Sequence, residues 1–336
     1  MINSPPTKPD LIAQHLCITT IAMGSKNLRN AAVALLAPLP SIIFYLTFLR
    51  RHSATDDPLS PLWAWCYNHP LLLANILFFL NVDLLFWLVG LLQSSHWMID
   101  LYWMVIPILL LHYFATHPLA ESDAWRSRLV VSLTWVWSLR LSHCYFRREK
   151  WQWGAREDWR FTDMRRRHGR RWWWISFFAI YLSQQVFLMA ICMPFYAIHS
   201  NKKRLNMWDL AAAAACLAGV TVAYFADTQM YEFMRLKEER KAVLEEGLWR
   251  YSRHPNYVGE QLWWSGIAIF GWNLEYDWWF VGPLANGVCL GVVTRLVEER
   301  MLKEPYRAAA YRNYQKTTPI WLPCFRTSLL GKHKET

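Results

Sequence analysis

The sequence predicts an all-α fold, a polytopic transmembrane helical bundle of about seven or eight spans. Of the 336 residues, 54% are hydrophobic and 22 are Trp, whereas only 18% are charged. Several apolar runs reach about 20 residues, the length that an α-helix needs to cross a bilayer. The runs are continuous rather than alternating, which argues against a membrane β-barrel.

Eight apolar segments are predicted to cross the membrane. Pro38 and Pro40 would kink the first segment, and the last two are short enough to be tilted or partly re-entrant. Trp and Tyr cluster at the segment ends, as interfacial belts require. The predicted spans are 31–49, 71–92, 98–115, 128–146, 172–198, 208–228, 257–272 and 278–297.

The distribution of basic residues predicts the orientation. Of 36 Lys and Arg, 3 lie in the N-terminal arm, 10 in the loop 147–171, 6 in the loop 229–256 and 8 in the C-terminal tail. Cytoplasmic loops are enriched in these residues, so this side, with both termini, is predicted to face the cytosol. The net charge of +11 therefore requires no nucleic acid, and it suits contact with membrane lipids.

Four regions are predicted along the chain. A disordered or interfacial arm covers residues 1–30, N-terminal spans cover 31–92, the main membrane domain covers 95–325, and a basic cytosolic tail covers 326–336. The tail ends in Lys-His-Lys-Glu-Thr, whose lysines resemble the dilysine retrieval signal of endoplasmic-reticulum membrane proteins. That resemblance predicts residence in the endoplasmic reticulum and a contact with a retrieval coat, and an ordinary basic tail is the alternative.

A dense group of polar residues lies at 247–260, directly before an apolar segment. Polar groups at a membrane boundary are costly unless they bind something. Because Pro255 breaks a helix running through His254, a new helix is predicted to begin near Asn256, and its unpaired first-turn amides would favour phosphate. Asn256 offers both a donor and an acceptor, which suits a carboxamide. Glu260 lies one turn later, where it would accept from that carboxamide or from a neighbouring arginine.

The remaining polar side chains of this segment also suit a dinucleotide. Arg250 and Arg253 could grip phosphates in bidentate fashion. His254 and Tyr257 could bond ribose hydroxyls or pyrophosphate oxygens. For a single arginine, a cap at the cytosolic end of a span is an equally good explanation.

The run Arg-His-Pro-Asn-Tyr-x-Gly-Glu at 253–260 resembles the nucleotide-binding signature of the steroid 5-alpha-reductase superfamily, whose members reduce carbon–carbon double bonds in lipids with NADPH. The resemblance covers roughly 95–325 and is closest to the DUF1295-type, 3-oxo-5-alpha-steroid 4-dehydrogenase-like membrane proteins. It implies an all-helical membrane bundle that holds NADPH near its cytosolic end. Further matches are Asp100-Leu101-Tyr102-Trp103, Trp137-Ser138-Leu139-Arg140-Leu141-Ser142, Asp158-Trp159-Arg160, Asp227-x-Gln229 and the stretch from Glu299 to Pro323.

The resemblance implies the roles of several residues in a reductase. Asp227 joins Arg253, Asn256 and Glu260 as a contact to NADPH. Tyr145 lies in a segment that resembles the one holding the catalytic tyrosine of the steroid reductases. Its phenol could donate a hydrogen bond to a substrate carbonyl while hydride arrives at the β-carbon.

Asp100 is matched only by order to the family's glutamate, as a second catalytic contact to substrate. An anchor in the aromatic belt is the alternative for Tyr145, and an interfacial acid is the alternative for Asp100. The predicted activity is NADPH-dependent reduction of a carbon–carbon double bond in a lipophilic substrate, a steroid-like α,β-unsaturated ketone.

Two other functions stay open. Methyltransferases of the isoprenylcysteine or phospholipid type share Arg-His-Pro-x-Tyr-x-Gly and a later Glu-Glu pair, present here as Glu298-Glu299, and bind S-adenosylmethionine. Asn256 and Glu260 favour the reductase. A non-enzymatic lipid-binding protein that keeps the fold without turnover is the other alternative.

Some polar residues inside the predicted spans need partners. Arg140 lies deep within a span, and Asp100 is one candidate partner for it. Asp83, Asn75 and Asn81 could line a substrate cavity or form hydrogen bonds between helices. The seven cysteines show no CxxC pairing and the histidines no ligand spacing, so neither a disulfide nor a metal is predicted.

Overall fold

The computed structural model describes residues 24–53, 60–236 and 243–321, and these are helical almost throughout. The all-α prediction is confirmed. In the described ranges, strand structure is confined to β1 (Glu121–Ser122) and β2 (Ser200–Asn201), which pair in parallel. The dilysine tail lies outside the described residues.

Fifteen α-helices follow one another in the described ranges. They are α1 (24–36), α2 (Leu39–His52), α3 (Pro61–Asn68), α4 (Pro70–Phe78), α5 (Trp87–Gln93), α6 (Trp97–Tyr102), α7 (Ile106–Thr116), α8 (Ala124–Arg148), α9 (Trp159–His168), α10 (Trp172–Ser176), α11 (Ser183–Ile198), α12 (Met207–Arg235), α13 (Pro255–Asn273), α14 (Val281–Lys303) and α15 (Pro305–Thr317). π segments lie at Phe79–Phe86 and Phe177–Leu182, and 3₁₀ segments at Gly169–Arg171 and Gly247–Arg250. Three of these short segments each join two consecutive α-helices, and the fourth, Gly247–Arg250, lies apart before the last three α-helices.

Five helical stretches in the described residues are long and apolar enough to cross a membrane, which supports an integral membrane protein. Each coincides with a predicted span. The other three predicted spans fall on α6–α7, α8 and α13, which are helical but shorter or less apolar. The five stretches are Gly24–His52, Pro70–Gln93, Trp159–Ile198, Met207–Arg235 and Val281–Lys303.

The chain divides into two compact units, and the first comprises residues within 1–66, 75–103 and 145–183. The kink predicted at Pro38 is present as a turn between α1 and α2. A proline frees a carbonyl from the helical ladder. Pro38 frees the carbonyl of Ala34, four residues earlier, and the Tyr102 hydroxyl donates to it. Asn81 donates its Nδ2 to the carbonyl of Ala37 in the turn at 2.6 Å, so the neighbouring span also stabilises the kink.

The second unit comprises residues within 67–74, 104–144 and 184–336. Its centre is the close contact between α12 and α13. A Cβ added to Gly259 would lie 2.6 Å from the backbone of α12, and one added to Gly219 would lie 2.6 Å from the backbone of α13. These glycines therefore let two helix backbones approach, as small residues do in membrane bundles.

A buried ion pair fixes the start of α12 in the same unit. Arg126 and Asp209 are 2.7 Å apart and both side chains are fully buried. The guanidinium also donates to the carbonyls of Lys203 and Arg204. Asn206 caps α12 and forms a reciprocal capping box with Asp209. This pair is fully hydrogen-bonded and serves structure.

Candidate functional site

Four polar side chains from three helices meet in the second unit, and we call them the Arg140 cluster. Arg140 on α8 donates Nη1 to Asp227 Oδ2 on α12 at 3.2 Å, and Nη2 to Glu260 Oε1 on α13. Asn256, one turn before Glu260, donates its Nδ2 to the other oxygen of Asp227 at 3.2 Å. Asp227, Asn256 and Glu260 were predicted to act together, and the structure brings them together.

The sequence did not identify Arg140 as the centre of this group. Arg140 pairs with Asp227 and Glu260 rather than with Asp100, the partner considered above. Its side chain is 5% exposed, against 23% for Asp227 and 17% for Glu260. The cluster has a net charge of −1, because two carboxylates surround one guanidinium. This net charge suits a ligand group that donates hydrogen bonds or carries positive charge.

Two stacked tryptophans form one side of the cluster. Trp137, one turn before Arg140 on α8, donates its indole nitrogen to Glu260 Oε2 at 3.0 Å. Its ring stacks on Trp263 with centroids 5.7 Å apart and planes 7° apart. The thiol of Cys144, one turn after Arg140, also bonds Asp227. The sequence placed Cys144 only as a small buried residue, because nothing in one chain shows which helix α8 faces.

Three buried polar atoms of this region have no hydrogen-bond partner among the described residues. They are Asn256 Oδ1, Arg140 Nε and Trp263 Nε1. Buried polar atoms are almost always bonded, and each unpaired one costs about 1–3 kcal/mol. One acceptor and two donors beside a charged cluster are therefore the features expected of a ligand-binding site.

Arg253 and His254 lie in a second group, centred on Glu298 of α14. Arg253 Nε and Nη2 donate to the two oxygens of Glu298 at 2.8 and 3.3 Å, and Nη1 donates to the carbonyls of Gln315 and Thr318. His254 Nε2 lies 3.2 Å from Glu298 Oε1. The donors of Arg253 are thus engaged within the chain and hold the end of α15 against the start of α13.

The start of α13 differs from the expected phosphate cradle. The backbone amides of Tyr257 and Val258 both donate to the carbonyl of His254, at 3.0 and 3.2 Å, so fewer first-turn amides are available than predicted. Tyr257 stacks on the His254 ring with centroids 5.1 Å apart. Arg250 is exposed and forms no ion pair with a described residue. Of the predicted arginines, Arg250 is the one whose charge is available to a ligand.

The two predicted catalytic residues belong to the first unit. Tyr145 is 6% exposed, and its hydroxyl has no hydrogen-bond partner of good geometry among the described residues, although the backbone of Gly154 lies near it. The Arg148 guanidinium lies 5.6 Å from the ring centroid. Asp100 on α6 lies within electrostatic range of Tyr145, Asp158 and Arg148. These residues therefore share one neighbourhood of this unit.

The matched segment Asp158-Trp159-Arg160 has a structural role. Asp158 caps α9 by accepting from the Arg160 amide at 2.7 Å and pairs with the Arg160 guanidinium at 2.7 Å. Burial would raise the pKa of Asp158, but the hydrogen bonds and charge of Arg160 lower it below its ordinary value. The carboxylate stays ionised where the helix dipole also favours it.

The Arg140 cluster and the group of residues around Glu298 both lie in the part of the chain that matches a known protein family. A family model described as "Protein of unknown function (DUF1295)" matches residues 86–318. An uncharacterized protein of Schizosaccharomyces pombe is 25% identical over 231 residues, which cover 61% of this chain and 66% of that protein, just under two thirds of its length. No solved structure matches the chain.

Proposed function

The chain belongs to the DUF1295 family of proteins of unknown function, and from the Arg140 cluster we propose that it is a membrane oxidoreductase that reduces a carbon–carbon double bond of a lipophilic substrate with NADPH. The proposed substrate is a steroid-like α,β-unsaturated ketone. The proposed setting is the membrane of the endoplasmic reticulum, with the cofactor end and both termini in the cytosol.

The observation that carries the proposal is the state of Asn256. Its amide nitrogen is held by Asp227 at 3.2 Å, which fixes the orientation of the side chain and turns Oδ1 away from Asp227. That oxygen is buried and unpaired among the described residues. A fixed, buried amide acceptor matches the amino group of a nicotinamide carboxamide, and the unpaired Nε of Arg140 and Nε1 of Trp263 offer donors for its carbonyl.

Bound NADPH would supply the hydride. The roles of the chain's own residues follow from their contacts. Arg140 and Glu260 keep Asp227 and Asn256 in one orientation, so no reorganisation is needed when a ligand binds. Arg250 is exposed at the end of the 3₁₀ segment Gly247–Arg250 and would bind the 2′-phosphate of NADPH. His254 and Tyr257, whose rings stack on each other, lie a few residues further along the chain. Arg253 is a positioning residue because its donors are used on Glu298 and two carbonyls.

Tyr145 supplies the group that the reduction of an enone requires on the substrate side. Its buried phenol would donate a hydrogen bond to the carbonyl oxygen, which gains negative charge as the β-carbon accepts hydride. In a dry environment such a donor stabilises the transition state more than it would in water. Asp100, within electrostatic range of Tyr145, is proposed as a second contact to the substrate oxygen.

A second candidate function is methyl transfer from S-adenosylmethionine to a lipid. The net negative charge of the Arg140 cluster favours it, because a sulfonium is cationic. The Glu298-Glu299 pair does not form one site for that cofactor in this arrangement. Glu298 accepts from Arg253, whereas Glu299 is half exposed and pairs with Arg295 on the surface of α14.

The test compares Asn256→Leu with the wild type and with Asn313→Leu, an exposed position on α15. NADPH binding to detergent-purified full-length chain is measured by energy transfer from tryptophan, and NADPH oxidation is followed with a panel of 3-oxo-4-ene steroids. We expect Asn256→Leu to weaken NADPH binding by about tenfold or more, the value of a lost hydrogen bond in a buried site. The free energy of unfolding should fall by about 1.5–3 kcal/mol, because the Asp227 carboxylate loses the Asn256 amide. Asn313→Leu should bind normally.

The outcomes separate the candidate functions. Saturable binding of S-adenosylmethionine with methyl transfer to a lipid, and no binding of NADPH, would replace the reductase by the methyltransferase. Failure to bind either molecule would favour a lipid-binding protein without turnover. Equal NADPH affinity of Asn256→Leu and the wild type would remove Asn256 from the site.

A further inference from the structure

The turn 150–154, which follows α8 in the first unit, has an unusual backbone. Lys150 and Trp151 have φ values of 53° and 58°, and Gly154 has a φ of 59°. Left-handed backbone is uncommon for residues with a side chain and persists only where the surrounding structure holds it. A Cβ added to Gly154 would overlap the Trp97 ring, so the turn also packs closely on α6. The conformation of this turn therefore depends on contacts from other segments.

Two asparagines, three residues apart at the start of α1, hold the turn by its backbone. Asn27 Oδ1 accepts from the amide of Trp153 at 2.7 Å, and Asn30 Nδ2 donates to the carbonyl of the same residue at 2.9 Å. Asn30 is 2% exposed, so its bond is shielded from water. Residues three apart lie on one face of a helix. A single helix face thus satisfies both backbone groups of one residue in an irregular segment and fixes its position.

The turn lies against Tyr145, the residue proposed to contact the substrate carbonyl. Gly154, directly after Trp153, brings its backbone near the Tyr145 hydroxyl. The ring of Trp153 packs edge to face on Phe146 with centroids 4.9 Å apart, and Phe146 packs in the same way on Tyr145 at 5.3 Å. A displacement of Trp153 would therefore change the surroundings of the phenol both through the backbone and through the rings.

α1 also contacts the helix that carries Asp100. The Tyr102 hydroxyl on α6 donates to the carbonyl of Ala34, one turn after Asn30 on α1. Tyr102 is 5% exposed and lies two residues after Asp100. One helix thus touches both segments that carry the proposed substrate contacts. The family match begins at residue 86, so it assigns no role to α1.

We propose that Asn27 and Asn30 are positioning residues for Tyr145. They hold the turn 150–154, and through it they keep the Tyr145 hydroxyl where the proposed reduction needs it. The inference rests on the proposed function for the purpose of this positioning. Neither asparagine is bonded to the phenol, so each acts through the backbone of Trp153.

Loosening the turn should affect the chemical step rather than cofactor binding. A donor that is aligned before the substrate arrives stabilises the developing oxyanion more than one that must reorient. The Arg140 cluster, which is proposed to bind NADPH, is formed by α8, α12 and α13 and includes no residue of α1. We therefore expect kcat to fall while the affinity for NADPH stays unchanged.

The two positions require opposite hydrogen-bonding groups, which gives a matched set of variants. An ionised aspartate only accepts, so Asn27→Asp can still accept from Trp153, whereas Asn30→Asp at alkaline pH sets a carboxylate against a carbonyl. We expect Asn27→Asp to keep most of the wild-type kcat. Asn27→Leu and Asn30→Asp should lower it by about tenfold or more. Lys26→Ala and Arg29→Ala, at exposed positions of the same helix, are the controls and should match the wild type.

Two measurements on the detergent-purified full-length chain need neither substrate nor cofactor. Hydrogen exchange followed by mass spectrometry reports the amide of Trp153, which should exchange about fivefold or more faster in Asn27→Leu, the effect of one lost hydrogen bond. Nitration by tetranitromethane reports access to the phenols. Tyr145 should react faster in Asn27→Leu and in Asn30→Asp, whereas Tyr113, which is buried in the second unit, should react at the wild-type rate.

The outcomes distinguish this inference from the proposed function. If the wild type oxidises no NADPH with any enone, the proposed function fails, and the exchange and nitration rates alone then support or overturn the positioning of Tyr145. Unchanged exchange at Trp153 or unchanged nitration of Tyr145 in Asn27→Leu would overturn it. Equal losses in Asn27→Asp and Asn27→Leu would do the same, as would faster nitration of Tyr113, which indicates general destabilisation. A fall in kcat that is matched by weaker NADPH binding would also contradict it.

Discussion

Replacing Glu260 by Gln tests whether the Arg140 cluster is a built charge network. Glu260 accepts from Arg140 Nη2 and, at 3.0 Å, from Trp137 Nε1. Glutamine has one amide oxygen and an amino group that can only donate, so one of these two donors must face another donor. The substitution also leaves the buried guanidinium with a single carboxylate, that of Asp227, 3.2 Å away.

The expected loss of stability is about 2 kcal/mol. Breaking a fully buried ion pair costs about 3–5 kcal/mol, which is an upper limit here because Asp227 remains and Glu260 is 17% exposed. Losing one hydrogen bond to a charged group costs about 1.5–3 kcal/mol, which is the closer comparison. NADPH binding should weaken in parallel, because Asn256 loses part of the network that orients it.

The assay is denaturant unfolding of the detergent-solubilised protein, with NADPH binding measured on the same preparation. Glu299→Gln is the matched control, since Glu299 is 50% exposed and pairs with an Arg295 that is 82% exposed. A surface pair of this kind is worth less than about 1 kcal/mol. If Glu260→Gln behaves like Glu299→Gln in both measurements, the cluster is not the network inferred from its geometry.

Three further substitutions test the framework of the second unit. Gly259→Ala should lower the free energy of unfolding by about 1–3 kcal/mol, because its Cβ would lie 2.6 Å from the α12 backbone. Gly291→Ala is the control: a Cβ there would meet nothing within 4 Å, so denaturant unfolding should show no loss or a slight gain of stability. Arg126→Met should cost about 3–5 kcal/mol by isolating a buried carboxylate, as unfolding would again report. Arg253→Lys should increase proteolysis at α15, because lysine cannot form the bidentate pair, while Arg250→Lys should not change it.

The sequence predicted the helices better than their irregularities. Apolar runs of bilayer length and the prolines at 38 and 40 located the first span and its kink, because these are local properties of the chain. The π segments at Phe79–Phe86 and Phe177–Leu182 have no comparable local signal. The break between α6 and α7 was also missed, although Pro107 in the first turn of α7 is a local signal for the start of a helix.

The candidate site was predicted by its motif and limited by missing contacts. Asn256 and Glu260 were placed on one helical face because they are four residues apart, and both lie in the Arg140 cluster. The partner of Arg140 could not be chosen from one sequence, since several acids were available. Glu298 was noticed only as half of a Glu-Glu pair, although it holds Arg253 and accepts from Gln315.

The motif at 253–260 combines two tasks that its sequence does not separate. Arg253 and His254 precede the first turn of α13, and their side chains bond Glu298 of α14 and carbonyls near the end of α15. Asn256 and Glu260 lie on the helix itself and face α12 and α8. The first pair holds the start of α13 against α14 and α15, and the second pair belongs to the Arg140 cluster, the proposed binding site. A chain could therefore keep Arg-His-Pro for folding after losing its cofactor. It follows that Asn256 and Glu260, with Arg140, discriminate a binding site from a structural remnant better than the arginine and histidine that make the motif conspicuous.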